Sequence, residues 1–308
     1  MNFHHVELVV HLMQDRCMWN LAGNGTFPDG TFVAIEKGLG TPYLRHALLG
    51  FSARHLAFLR PERSAHYLHL AITLQTHAVS EFNATWCGTT VDQSNCVAIL
   101  GFSSVLGHHL LADTLAKRDP GGLQPFLAAY TQCAEMHRGV FSVVMTAWEM
   151  LMETEMGSIL SQSRDFTSRL PEGTQCDELK QMVDETGTLT HASKDACRLA
   201  IRYLQVGFDA ILSSDEKHNL RYQMLYLWSM LAPPDFISLL AAEVPEALAI
   251  LAYYAALLHH GRSMWQVQDA GVYLLRLISD RLDAEQRGWL EKPLALAGLQ
   301  IRHSMPIP

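Results

Sequence analysis

Charged residues are scarce in this sequence. Only 18% of its 308 residues are charged, whereas 49% are hydrophobic, and an average soluble domain has a charged share of about 25%. The formal net charge is −8, and basic residues cluster at most in pairs such as Lys117-Arg118. A surface that binds nucleic acid is normally basic, so we expect no direct nucleic-acid binding by this segment.

Patterns for metal binding and for membrane spans are also missing. None of the six cysteines forms a C-x-x-C pair, so the spacing predicts no zinc site, and we expect neither a metal nor a cofactor. Isolated cysteines are typical of buried thiols in a reducing, intracellular compartment. The longest apolar run, residues 247–258, is shorter than the ~18 residues that cross a bilayer, which predicts no membrane span.

Sequence motifs for nucleophilic catalysis and phosphate binding are absent as well. Gly101-Phe102-Ser103-Ser104 departs from G-x-S-x-G, and Gly23-Asn24-Gly25 is a lone turn without the further glycines of a nucleotide-binding loop. The sequence therefore carries no fingerprint of an established catalytic class.

Helical periodicity is what the sequence does contain. In residues 41–81, Thr41 is a plausible N-cap before Pro42, and two apolar stripes of helical period flank a break at residues 59–62. Such an antiparallel pair must pack against further helices. We therefore predict an all-α fold, a multi-helix bundle of stacked antiparallel helix pairs with a buried hydrophobic pocket.

The predicted helices form a single domain over residues 1–300. The segment 246–260 is apolar nearly all round, which predicts a helix buried on most sides. Residues 157–190 are polar and read as an irregular, exposed connection with one helix over residues 176–185. Residues 301–308 are predicted to be a frayed tail.

Several stretches together resemble one protein family. PYLRHALLGFSARHLAFL and HYLHLAITLQTHAVSEF are preceded by HHVELVVHL and followed by ALAILAYYAALLHH and RLISDRLDAEQRGWLEKPL. In this order they resemble the regulatory, ligand-sensing domain of fungal Zn2Cys6 zinc-cluster transcription factors of the sterol uptake control type. The resemblance extends over residues 3–294, and the closely spaced cysteines of the zinc cluster are not among these 308 residues.

The resemblance implies a ligand-responsive regulatory domain that controls gene expression. It would bind a hydrophobic small molecule, sterol-like or metabolite-like, form a homodimer, and act in the nucleus and cytoplasm. The family's pocket lies near its C-terminal helices, and the sequence is rich in soft apolar residues, with 13 methionines and 6 tryptophans. The predicted ligand-binding residues are Trp148, Met152, Met230, Phe236, Tyr253, Tyr254 and Leu257.

Sixteen histidines invite a search for metal ligands. The three groups are His4, Glu7 and His11; His66, His69 and His77; and the doublets His108-His109 and His259-His260. We interpret the first as a Glu7–His11 pair beside the core, the second as an exposed polar face, and the doublets as residues near helix C-termini that gain from the helix dipole. The sequence thus predicts no metal site.

Two other functions stay open at this stage. One is a stand-alone enzyme of secondary metabolism, a cofactor-independent cyclase or isomerase that has reused the transcription-factor-like fold. The regulatory function is favoured over it. Its candidate catalytic residues are His108, His109, Glu149, Glu153, Tyr254 and His259. Glu149 and Glu153 have an alternative interpretation as the solvated face of a half-buried helix. The other function is a non-catalytic interaction scaffold.

Overall fold

The computed structural model describes residues 3–15, 18, 29–86, 90–216 and 218–299, and in this part of the chain all regular structure is helical. The prediction of an all-α multi-helix fold is therefore confirmed. The helices are α1 (Phe3–Gln14), α2 (Asp29–Gly40), α3 (Pro42–Leu59), α4 (Ser64–Trp86), α5 (Cys96–Ala116), α6 (Leu123–Thr146), α7 (Trp148–Met152), α8 (Gly157–Thr167), α9 (Asp177–Glu185), α10 (His191–Leu212), α11 (His218–Arg221), α12 (Met224–Leu231), α13 (Pro234–Ala241), α14 (Pro245–His260), α15 (Ala270–Arg281) and α16 (Glu291–Leu296).

The chain divides into two compact units. The first comprises Met1–Asp113 and Glu135–Ser168, and the second comprises Thr114–Ala134 and Arg169–Pro308. Both α5 and α6 begin in one unit and end in the other. Each unit is described by itself below, and the single domain over residues 1–300 stays a prediction.

The first unit is built on the predicted helix pair, α3 and α4. Thr41 has extended backbone angles at the N-cap, Pro42 is the first helical residue, and a 3-10 turn at Pro61–Arg63 separates the helices. The Thr41 side chain makes no capping hydrogen bond. The facing stripes of α3 and α4 meet in one hydrophobic cluster with Leu8 of α1, in which Tyr67 is fully buried. This packing stabilises α3 although its N-cap side chain makes no hydrogen bond.

The second unit surrounds α14. Every residue from Ala247 to Leu258 is buried, as the all-round apolar pattern predicts. Helices α9, α10, α13, α15 and α16 all pack against α14. Gly271 lets α15 come backbone to backbone, because a Cβ atom there would lie 2.4 Å from the carbonyl oxygen of Ala255. A side chain at position 271 would therefore push α15 away from α14.

The prediction of an irregular connection over residues 157–190 needs correction. Its later part contains α9, as predicted, but its first residues form α8. This helix has few apolar residues, yet Phe166 is fully buried and Leu160 packs against a cluster with Leu151. Tertiary packing supplies what the polar sequence does not signal. The predicted tail, residues 301–308, lies outside the described residues.

One helix among the described residues, α5, is long and apolar enough to cross a membrane. Helices α12 and α13 are long and apolar enough only when they are taken together, and they are bent by 92° relative to each other. In α5, 72% of the most apolar stretch is buried inside the protein. This is weak support for a span and is compatible with the prediction of none.

Candidate functional site

Four large aromatic side chains meet in the core of the second unit. We call Tyr130 of α6, Trp228 of α12, Phe236 of α13 and Tyr254 of α14 the aromatic cluster; all four are fully buried. Trp228 stacks on Tyr254 with ring centroids 4.4 Å apart and meets Phe236 edge-on at 5.6 Å. The centroid of Tyr130 lies 6.0 Å from that of Tyr254. The cluster thus joins four helices through ring contacts.

The polar atoms of this cluster are not equally satisfied. The Trp228 indole donates to the carbonyl oxygen of Ala200 at 3.0 Å, and the Tyr254 hydroxyl donates to that of Leu225 at 2.6 Å. The Tyr130 hydroxyl is buried and makes no well-aligned hydrogen bond, although it interacts with the neighbouring Tyr254 hydroxyl. Burial raises the pKa of Tyr130 well above 10, so the phenol stays protonated and can donate one hydrogen bond. A buried polar atom without a well-aligned partner calls for a physical explanation.

The predicted ligand-binding residues divide between the two units. Phe236, Tyr253, Tyr254 and Leu257 are buried in the core of the second unit, and Met230 of α12 is half-buried there. Trp148 and Met152 belong to α7 of the first unit, where Trp148 is half-buried and Met152 is exposed. Their assignment as one ligand site stays a prediction. Tyr130 and Trp228 were missed, although Trp228 lies in the wholly apolar segment MLYLW that could have signalled it.

The predicted Glu7–His11 pair is wrong in the first unit. Glu7 forms an ion pair with Arg60 and accepts a hydrogen bond from the Tyr67 hydroxyl at 3.0 Å. His11 instead meets His55 of α3, with Nε2 of the first ring 3.1 Å from Nδ1 of the second. The side chain of His4 lies outside the described residues. On α4, by contrast, the exposed face predicted for His66, His69 and His77 is found.

His108 and His109, two of the catalytic candidates, lie inside α5 rather than near its end. Burial lowers the pKa of each to about 4, with His137 adding to the effect on His108. His109 Nε2 lies 3.5 Å from Asp113 Oδ2, and Arg54 donates to the other Asp113 oxygen at 2.5 Å. A pKa near 4 makes either imidazole a weak base at neutral pH.

The remaining catalytic candidates occupy different environments. Glu149 and Glu153 are exposed at α7, as in the interpretation of a solvated acidic face. The Tyr254 hydroxyl is engaged with a backbone carbonyl, and burial raises its pKa well above 10. His259 lies at the C-terminal end of α14, as predicted, where burial lowers its pKa. The catalytic assignment of all six residues stays a prediction.

Fold and site together define an all-α protein with a closed aromatic core in one unit and a histidine-rich interior in the other. The chain is 22% identical to a Zn(2)-C6 fungal-type transcription factor of Gibberella zeae, in an alignment that covers 85% of this chain and 54% of that protein. The chain therefore spans about half the length of this curated relative. No family model matches the chain, and no solved structure matches it.

This similarity supports the family-level resemblance at its coarser level. The chain is similar to a Zn(2)-C6 fungal-type transcription factor over most of its length, which is consistent with a regulatory role. The sterol-uptake type and the absence of a zinc cluster stay predictions.

Proposed function

We propose that this chain is the ligand-responsive regulatory region of a fungal transcription regulator, acting in the nucleus as a homodimer. The observation that carries the proposal is the similarity to a Zn(2)-C6 fungal-type transcription factor over 85% of the chain. The net charge of −8 fits a region that controls gene expression without itself contacting nucleic acid. The ligand would be a hydrophobic small molecule, sterol-like or metabolite-like.

The aromatic cluster is the place where such a ligand would be recognised. The buried rings surround the Tyr130 hydroxyl, which makes no well-aligned hydrogen bond. Binding sites for small molecules commonly combine apolar walls with a few placed polar groups. A rigid apolar molecule with a single hydroxyl or carbonyl group, such as a sterol, would accept a hydrogen bond from the Tyr130 phenol. Its apolar part would contact the aromatic rings in place of their contacts with one another.

Ligand entry requires the cluster to open, because all four rings are fully buried. The element suited to that movement is the broken helix formed by α12 and α13, which bends by 92° near Pro233. Trp228 is carried by one arm and Phe236 by the other. A change in the bend would separate both rings from Tyr254 and transmit ligand binding to the surface of the second unit.

A reporter assay tests this function. The whole chain, fused to an unrelated DNA-binding domain in a fungal host, is expected to change reporter output when sterols are depleted or supplied. The Tyr130→Phe variant should respond more weakly, since the hydrogen-bond donor is lost.

The matched control is Tyr203→Phe, because Tyr203 lies half-buried on α10 of the same unit, outside the aromatic cluster. Its response should equal that of the unmodified chain. Reporter output that is the same at every sterol level, in all three proteins, would contradict the proposal.

A further inference from the structure

Three potential metal ligands converge in the first unit, where α1 packs on α3. They are His11 of α1, Asp15 immediately after α1, and His55 of α3, and one donor atom from each lies within 4.8 Å of the others. A nearby contact fixes the two helices, because the Ser52 hydroxyl of α3 donates to the carbonyl oxygen of Leu8 at 2.9 Å. The two histidines therefore lie on packed helices, and Asp15 follows directly after one of them.

The spacing of the two imidazoles fits a tetrahedral metal ion. Zn–N bonds of about 2.0–2.1 Å place neighbouring ligand atoms roughly 3.3 Å apart in a tetrahedron. His11 Nε2 and His55 Nδ1 are 3.1 Å apart, so a small shift suffices. Asp15 Oδ2 is 4.0 Å from Nδ1 of His11, the other nitrogen of that ring, and its Oδ1 accepts a hydrogen bond from the Met18 backbone at 3.2 Å. Metal binding would therefore also require a shift of the His11 ring or of the carboxylate, within the 4.8 Å that separates the three donor atoms.

The chemistry of the donor set suits a cation. A neutral imidazole donates a lone pair to a metal, and Asp15 supplies a negative charge beside the two rings, on which the charges of Arg54 and Arg60 also act. Phe58 stacks on the His55 ring and adds an apolar wall.

We propose that His11, Asp15 and His55 bind one Zn²⁺ ion, with a water molecule as the fourth ligand. Two imidazoles and one carboxylate are a common ligand set for this metal. The ion would join the start of the chain to the α3–α4 pair, so its role would be to hold α1 in place. The site departs from the sequence prediction of no metal, because His55 lies 44 residues from His11 along the chain and no local pattern joins them.

Zinc titration of the purified full chain, stripped with a chelator, tests the proposal. Calorimetry at pH 7.5 should give one equivalent of tight Zn²⁺ binding, and added Zn²⁺ should slow amide exchange in α1. Asp15→Asn keeps the side-chain volume and the acceptor for Met18 but removes the charge. We expect it to weaken binding at least about tenfold, and His11→Gln to do the same or more.

The control is His69→Gln, since His69 is exposed on α4, and its affinity for zinc should not change. A Co²⁺-substituted sample should show a tetrahedral visible spectrum without a sulfur-to-metal band. The proposal is overturned if no zinc binds, if all three variants bind alike, or if the cobalt spectrum reports thiolate ligands. In the first case the two histidines form only a hydrogen bond between neutral rings.

Discussion

The interiors of the two units are stabilised in different ways. In the first unit, ionisable groups reach into the packed helices at several points, namely Glu7–Arg60–Tyr67, Arg54–Asp113–His109 and His11–His55. In the second unit, the central helix carries no charged residue between Ala247 and Leu258. Its contacts there are aliphatic and aromatic, with hydroxyl and indole groups as the polar atoms of the aromatic cluster.

This difference predicts which kind of perturbation should most reduce the stability of each unit. A buried neutral histidine stabilises the fold only while it stays unprotonated. The first unit, in which burial lowers the pKa of His55, His108 and His109 to about 4, should therefore respond to pH more strongly than the second. A close-packed aromatic core depends on volume, so the second unit should respond to truncation of side chains. The predictions below test this contrast.

The largest effect is expected for Trp228→Ala in the second unit. Removing a fully buried indole that stacks on Tyr254 should lower the free energy of unfolding by about 3–5 kcal/mol. Urea unfolding measured by amide exchange in α14 checks it. Trp148→Ala on the half-buried α7 is the control with a smaller loss. An equal decrease in the free energy of unfolding in both variants would contradict the expected difference between the fully buried Trp228 and the half-buried Trp148.

A pH effect of similar size is expected in the first unit. His55 and His109 have folded-state pKa values of about 4, lowered from 6.5 by burial. The unfolded chain therefore binds more protons between pH 6.5 and 4, and stability falls as the pH is lowered through this window. Each histidine contributes on the order of 3 kcal/mol to this loss.

Amide exchange at pH 7 and pH 4.5, corrected for the intrinsic rates, measures the pH effect. Protection in α3 should fall more at the lower pH than protection in α14, where burial also lowers the pKa of His259 and His260 at the helix end. The His109→Gln variant should show a shallower decline, because one proton-binding group is gone. A parallel decline of α3 and α14 in the unmodified chain would argue against a pH response located in the first unit.

Two conservative substitutions in the aromatic cluster should have opposite signs. Tyr130→Phe removes a buried hydroxyl that makes no well-aligned hydrogen bond and should stabilise the ligand-free protein by about 1–2 kcal/mol. Tyr254→Phe leaves the Leu225 carbonyl without its donor and should destabilise by about 1–3 kcal/mol. Thermal unfolding of the two variants and of the unmodified protein measures the sign of each change in stability. Destabilisation by Tyr130→Phe would mean that its hydroxyl is already satisfied.

The smallest effect is expected at the exposed acids of α7. Glu149→Gln and Glu153→Gln should each change the free energy of unfolding by less than about 0.5 kcal/mol, as is usual for exposed positions. Neither should alter ligand binding. A loss above about 1 kcal/mol, or a change in ligand affinity, would restore these carboxylates as candidates for a functional site.

Helical periodicity predicted the fold well where apolar residues are dense. The α3–α4 pair and the buried α14 follow from residue spacing alone. Helix α8 was missed because it has few apolar residues, and packing of Leu160 rather than periodicity stabilises it. Periodicity therefore predicts a helix that has a regular stripe of apolar residues. It fails for a helix that has few apolar residues and is stabilised by packing against neighbouring helices.

The site residues were harder to predict, for a related reason. Helical spacing predicts contacts only between residues of the same helix, and it therefore paired Glu7 with His11. In the structure, the partners of Glu7 are Arg60 and Tyr67. His11 and His55 are brought together only by packing of α1 on α3. Likewise, no local pattern in the sequence joins Tyr130 to Trp228. Contacts between distant helices depend on the tertiary arrangement, which a single sequence does not contain.

Equilibrium binding of a fluorescent sterol to the whole purified chain tests the central claim most directly. Tryptophan emission, to which the buried Trp228 contributes, reports binding, and excess non-fluorescent sterol serves as competitor. We predict saturable, competed binding of one molecule per chain, weakened in Tyr130→Phe and unchanged in Tyr203→Phe. Emission that never saturates, or binding that is the same in all three proteins, would contradict recognition of a hydrophobic ligand by the aromatic cluster.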